Sequence, residues 1–106
     1  MSLQTLTEKI KRVNDLYAKE FNVEQNGDWF LLKLQEEFGE MTQKYLMTTG
    51  RTRKKFASSE EGKQALGEEV ADMFSYLLLF ADQTGINVEE AVKDKWFKYL
   101  AEEKGG

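Results

Sequence analysis

The chain of 106 residues contains no cysteine, no histidine and no proline. Without cysteine there can be neither a disulfide framework nor a thiolate-bound zinc or iron–sulfur site. Without histidine, His-dependent triads and the Glu-x-x-His di-iron sites of ferritin-like bundles are excluded. Long apolar runs are lacking too: LLLFA, following Tyr76, is far too short for a bilayer, and the opening MSLQTLTEKIKR has no signal-peptide core. The expectation is a cytoplasmic protein with no membrane partner. A formal charge of −4 argues against a nucleic acid polymer as partner, because domains that wrap nucleic acid carry a basic surface.

What is present is 41% apolar and 12% aromatic residue content, enough for one domain spanning residues 1–106. A chain this short has little core of its own, so burial against a second copy would help it. Apolar residues recur at helical spacing nearly everywhere, which predicts an all-α fold of four helices.

Leu3, Leu6, Ile10, Val13, Tyr17 and Phe21 form the stripe of the first helix, with Thr5 and Glu8 at capping-box spacing. A break at Asn26-Gly27 precedes the second, with Asp28 as its expected N-cap and Leu31, Leu34, Phe38, Met41 and Tyr45 as its buried stripe, ending near Thr48 to Gly50. The third begins around Ser58 or Ser59 and stops at Gly85; it is apolar almost all round from Val70 to Ala81 and should be central. Asn87 and Glu90 cap the fourth, which buries Val88, Val92, Trp96, Tyr99 and Leu100 before a fraying EEKGG.

Acidic residues concentrate where packing is expected. Residues 36–40 read EEFGE inside an otherwise apolar helix. At about 100° per residue, Glu37 falls roughly 70° from the centre of the Leu34/Phe38/Met41/Tyr45 stripe, with Glu40 further round on the same side and Glu36 nearly opposite. Glu69 and Asp72 repeat this pattern about the Leu66/Val70/Met73/Leu77 stripe, and Tyr76 overhangs them. Surface ion pairing offers a plainer account of helix 2: Glu40 with Lys44, and Lys33 with Glu37, each worth a few tenths of a kcal/mol. It does not account for Asp72, which has no cation within four residues on either side. Crowded carboxylates repel unless they share a proton or a divalent cation, and oxygen-only ligands select a hard ion such as Mg²⁺ or Mn²⁺. Arg51, Arg53, Lys54 and Lys55 follow in a loop. They either offset the negative end of helix 2 as solvated charges or bind phosphate.

The segments Glu37-Phe-Gly-Glu40 and Glu69-Val-Ala-Asp72 resemble the paired Glu-x-x-Glu and Glu-x-x-Asp motifs of the MazG-like all-α nucleoside triphosphate pyrophosphohydrolases, a group that includes dimeric dUTPases and phosphoribosyl-ATP pyrophosphohydrolases. LQEEFGEM, TTGR and EEVADMFSYLLLFADQTGINVEEAVKDKW extend the resemblance from roughly Leu31 to Trp96. It implies a helical bundle completed as a homodimer or homotetramer. It also implies Mg²⁺ held by Glu37, Glu40, Glu69 and Asp72, and cleavage of a nucleoside triphosphate to the monophosphate and pyrophosphate, with one glutamate as general base. Trp29, Lys44, Arg51, Arg53, Lys54, Tyr76, Lys93 and Lys95 are the expected substrate contacts, the last two because relatives carry basic residues on the final helix. The asparagine that some relatives have there is missing from KDKWFKYLAEEK. A different class of role, a homo-oligomeric helical interaction module or a regulatory nucleotide-binding module without turnover, is the competing expectation.

Overall fold

Each helix starts where a short polar side chain captures a free amide. In the computed structural model, which describes residues 1–100, α1 (Leu3–Phe21) is capped by Ser2, whose hydroxyl accepts from the Thr5 amide at 3.1 Å. The expected Thr5/Glu8 box is therefore displaced by one turn. Asn26, not Asp28, caps α2 (Gly27–Thr48): its Oδ1 accepts from the Trp29 amide at 2.9 Å, which leaves Asp28 in the first turn beside the positive end of the helix dipole. Ser58 caps α3 (Ser59–Gln83) and Asn87 caps α4 (Val88–Val92), as expected. α4 runs on into a π-helical turn, Lys93–Phe97. Gly50 and Gly85 end their helices at φ near +73° and +74°, a conformation in which a Cβ is strained. Asn22 ends α1 the same way. The fraying expected of EEKGG lies outside the described residues.

The chain is all-helical, with no strand among the described residues. α2 and α3 form an antiparallel hairpin, and α3 also carries α1, so α3 is central as expected. Register is fixed at both ends. The Thr48 hydroxyl lies 3.4 Å from the Gly62 carbonyl, and at the opposite end Gly27 lies against Thr84. A Cβ on Gly62 would come within 3.1 Å of both Phe56 and Thr48, so glycine is what lets the two helices close there.

The packed face of α2 is not the expected one. Phe30 and Glu37, seven residues apart, are buried, whereas Leu31, Phe38 and Tyr45 are each about half exposed. The helix is rotated so that its seam with α3 is centred near Glu37, and the stripe of Leu31, Phe38 and Tyr45 lies to one side of it. On α3, Leu78, Leu79 and Ala81 are buried, but Val70, Phe74 and Leu77 are not. α1 buries no residue, and along α4 and the turns that follow it Val92, Trp96, Tyr99 and Leu100 are exposed rather than packed. After Gly85 the chain runs so that α4 faces Leu77, Phe80 and Ala81 of α3 across a groove, and its first residues face Leu3, Thr7 and Lys11 of α1. The radius of gyration is 17.2 Å, against about 13 Å for a compact domain of this length. No helix among the described residues is long and apolar enough to cross a membrane.

Candidate metal and nucleotide site

Rotation of α2 puts Glu37 on the seam and Glu40, three residues later, on the rim nearest α3. Glu69 comes from the facing turn of α3. Carboxylate oxygens of Glu37, Glu40 and Glu69 all lie within 4.8 Å of one another. Glu37 is buried, Glu69 is half-buried and Glu40 is exposed, so the cluster grades from seam to solvent. Glu37 Oε2 and Glu69 Oε2 are both buried without a hydrogen-bond partner. A buried carboxylate oxygen with no donor is costly unless a proton or a cation occupies the space beside it.

Asp72 departs from the expected quartet. It is exposed, one turn along α3 from Glu69, and does not join the mutual cluster. Its charge still reaches the cluster. Burial, then the charges of Glu40, Asp72 and Glu69, push the Glu37 carboxyl up to about 7. Burial also raises Glu69, as do the charges of Glu40 and Asp72, while a hydrogen bond with the Glu37 carboxyl and, less, the charge of Lys44 oppose the shift. The donor set is all oxygen, graded in exposure, with two buried unpartnered oxygens and one more carboxylate at the rim. It suits a hard divalent cation such as Mg²⁺, with the solvent side open to water or phosphate oxygens.

Neither ion pair proposed for helix 2 forms. Glu40 and Lys44 make no ion pair among the described residues, and Lys33 reaches Glu36 at 3.5 Å instead of Glu37. Lys44 is half-buried one turn beyond Glu40, close enough for its charge to act on Glu69.

Trp29 and Tyr76 meet at the other end of the acidic cluster, with ring centroids 6.1 Å apart and planes at 62°. Trp29 also stands edge-on to Phe30 at 5.3 Å, and Phe30 is core. Beside Tyr76 a cavity of about 430 Å³ opens between α1 and α3, lined by Ile10, Asn14, Tyr17, Asp72 and Ser75 among others. In it the Asn14 and Gln25 amides pair reciprocally, at 2.6 and 3.0 Å.

The remaining basic residues are spread along the molecule. Arg51 lies over the Tyr45 ring at 5.4 Å and donates from Nε to the Thr49 hydroxyl at 3.0 Å. Arg53 and Lys54 are exposed in the α2–α3 loop. Thr48 ends α2 eight residues beyond Glu40, roughly 12 Å at the helical rise. Lys93 pairs with Glu89 at 3.7 Å, and Lys95 lines an apolar groove with Leu77, Phe80 and Trp96. Within one chain these two lysines do not join the carboxylates, because α4 leaves α3 on the flank away from them.

Lys33 and the Asn14–Gln25 pair were not anticipated as site residues. The i,i+4 spacing of Trp29 and Lys33 was a usable signal for the first. The amide pair joins α1 to the segment before α2, and no local spacing announces it. No family model, curated protein or solved structure matches the chain.

Proposed function

We propose that the protein is a Mg²⁺-dependent nucleotide pyrophosphohydrolase of the MazG-like type, acting on a nucleoside triphosphate. The carrying observation is the convergence of Glu37, Glu40 and Glu69 on one small space, with buried unpartnered oxygens on two of them. Glu37, Glu40 and Glu69 would hold the ion, with Asp72 closing the rim. The ion, when bound, supplies charge to polarise a phosphate oxygen and to acidify a water.

This chain's own groups supply the orientation. Along the α2–α3 seam the order is Trp29 and Tyr76, then the acidic cluster, then Lys44, then Arg51, Arg53 and Lys54. A base stacked at the aromatic end places its phosphates at the carboxylates, with Lys44 and the loop cations ahead to offset charge on the departing pyrophosphate. Water adds to phosphorus, the α–β anhydride P–O bond breaks, and the products are the monophosphate and pyrophosphate. A glutamate of the cluster accepts the water proton.

The exposed Leu31, Phe38, Val70, Phe74 and Leu77, together with the large radius of gyration, favour a second copy covering that flank as a homodimer or homotetramer. The same exposed face supports the competing reading of a homo-oligomeric interaction module without turnover. Pyrophosphate release from a panel of nucleoside triphosphates with Mg²⁺ separates them. The hydrolase releases it, and Glu40→Gln does not. If no nucleotide yields pyrophosphate above background, the interaction module is the better account.

A further inference from the structure

Lys33 is a cation at the aromatic end of the seam that the proposed reaction leaves unused. Its side chain is only 25% exposed, and its ammonium meets one acceptor, Glu36 Oε2, at 3.5 Å. That is long for a charge-assisted bond, typically about 2.7–2.9 Å. An ammonium has three donors and no acceptor, so most of its capacity is unspent on protein groups. Nζ stands 5.9 Å from the Trp29 ring centroid and 6.0 Å from that of Tyr76. The two rings are too close and too inclined to sandwich a base between them. A flat ligand stacks instead on the open face of one ring and turns an edge toward Lys33.

Resting on the reading above, in which the phosphates run from the carboxylates toward Lys44, the base falls at this aromatic end. We propose that Lys33 is a specificity-determining residue that selects nucleotides whose base presents an oxo group over those presenting an exocyclic amine at the same position. An oxo oxygen accepts from the ammonium. An exocyclic amine meets it donor to donor and gains no such bond, so the oxo base has one charge-assisted contact more.

Two pairs of probes exchange the oxo group for an amine, and with it the adjacent ring N–H for an acceptor nitrogen: UTP against CTP, and ITP against ATP, each as its α,β-methylene analogue so that binding is read without turnover. Trp29 fluorescence reports stacking in a Trp96→Phe background, which leaves one tryptophan. The expected result is that the oxo member of each pair binds at least about tenfold tighter. Lys33→Met should bring each pair within about twofold, while Lys33→Arg keeps the preference. Equal affinity within each pair for the unsubstituted Lys33 overturns the inference. So does a uniform weakening of all four ligands by Lys33→Met, the mark of a phosphate contact, and so does absence of any nucleotide binding. Pyrophosphate release is scored separately on the natural triphosphates. Discrimination in binding with no product removes the hydrolase reading alone, and product formed without base discrimination removes the Lys33 inference alone.

Discussion

The two flanks of the α2–α3 hairpin are built from the same two helices and have opposite chemistry. On one side of the seam lie Trp29, Lys33, Glu40 and Asp72, with α1 packed nearby and a cavity beside them to which Asn14, Asp72 and Ser75 contribute polar groups. On the other lie Leu31, Leu34, Phe38 and Met73, which line a nearly wholly apolar groove that none of the described residues covers. Both flanks arise from one rotation of each helix. Placing Glu37 and Glu69 on the seam swings one set of neighbours toward the carboxylates and the other toward solvent. Charge is thus held at a packed boundary at the expense of bare apolar surface elsewhere, an arrangement that makes sense when the first flank binds an ion and the second binds protein.

The largest effect expected is on the acidic flank. Glu40→Gln should lower pyrophosphate release by roughly a hundredfold or more, since it removes an anionic ligand, while leaving the far-UV circular dichroism unchanged. Retained activity would break the assignment of roles to the two flanks. Next is the apolar flank: Phe38→Glu should convert an oligomer to monomer in sedimentation at micromolar concentration, because a charge cannot be buried unpaired at an apolar interface. If the unsubstituted chain already sediments as a monomer, that flank has another purpose.

A third, smaller effect comes from pH. The Glu37 carboxyl titrates near 7 when folded against 4.5 as its ordinary value. Below about pH 4.5 it is protonated in both states and imposes no penalty. Between 4.5 and 7 the unfolded chain releases the proton first, so stability of the ion-free protein should fall as pH rises, by roughly 3 kcal/mol in all. Thermal melts in EDTA across pH 5 to 8 should show this slope, Glu37→Gln should flatten it, and Mg²⁺ should offset it at the upper end. A melt that is flat in EDTA would mean the cluster is not crowded. The smallest is a control acting on both flanks together. Asn26→Ala removes the α2 cap and should cost about 1 kcal/mol of stability without changing nucleotide preference.

Much of the fold was legible from local chemistry. Ser58 and Asn87 cap where their spacing indicated, and Gly85 stops α3, because caps and left-handed turns depend only on a few adjacent residues. Glu37, Glu40 and Glu69 were also legible, as an i,i+3 pair and its counterpart on the next helix. The placement of Asp72 was not, since a reading that treats the two helices alike cannot know how far each is rolled against its neighbour. Within one chain Lys93 and Lys95 stand apart from the carboxylates, and the direction that α4 takes after Gly85 is not written in its own periodicity.

What the sequence alone determined is the set of helices, their ends, and an acidic pattern repeated on two of them, all consequences of side-chain spacing along a regular backbone. Tertiary structure decided which face of each helix is packed. Apolar stripe and carboxylate stripe adjoin on both α2 and α3, and either could have been turned inward. The seam instead takes Phe30, Glu37 and Glu69, because the close approach of Thr48 to Gly62 at one end and of Gly27 to Thr84 at the other fixes the roll and register of the pair.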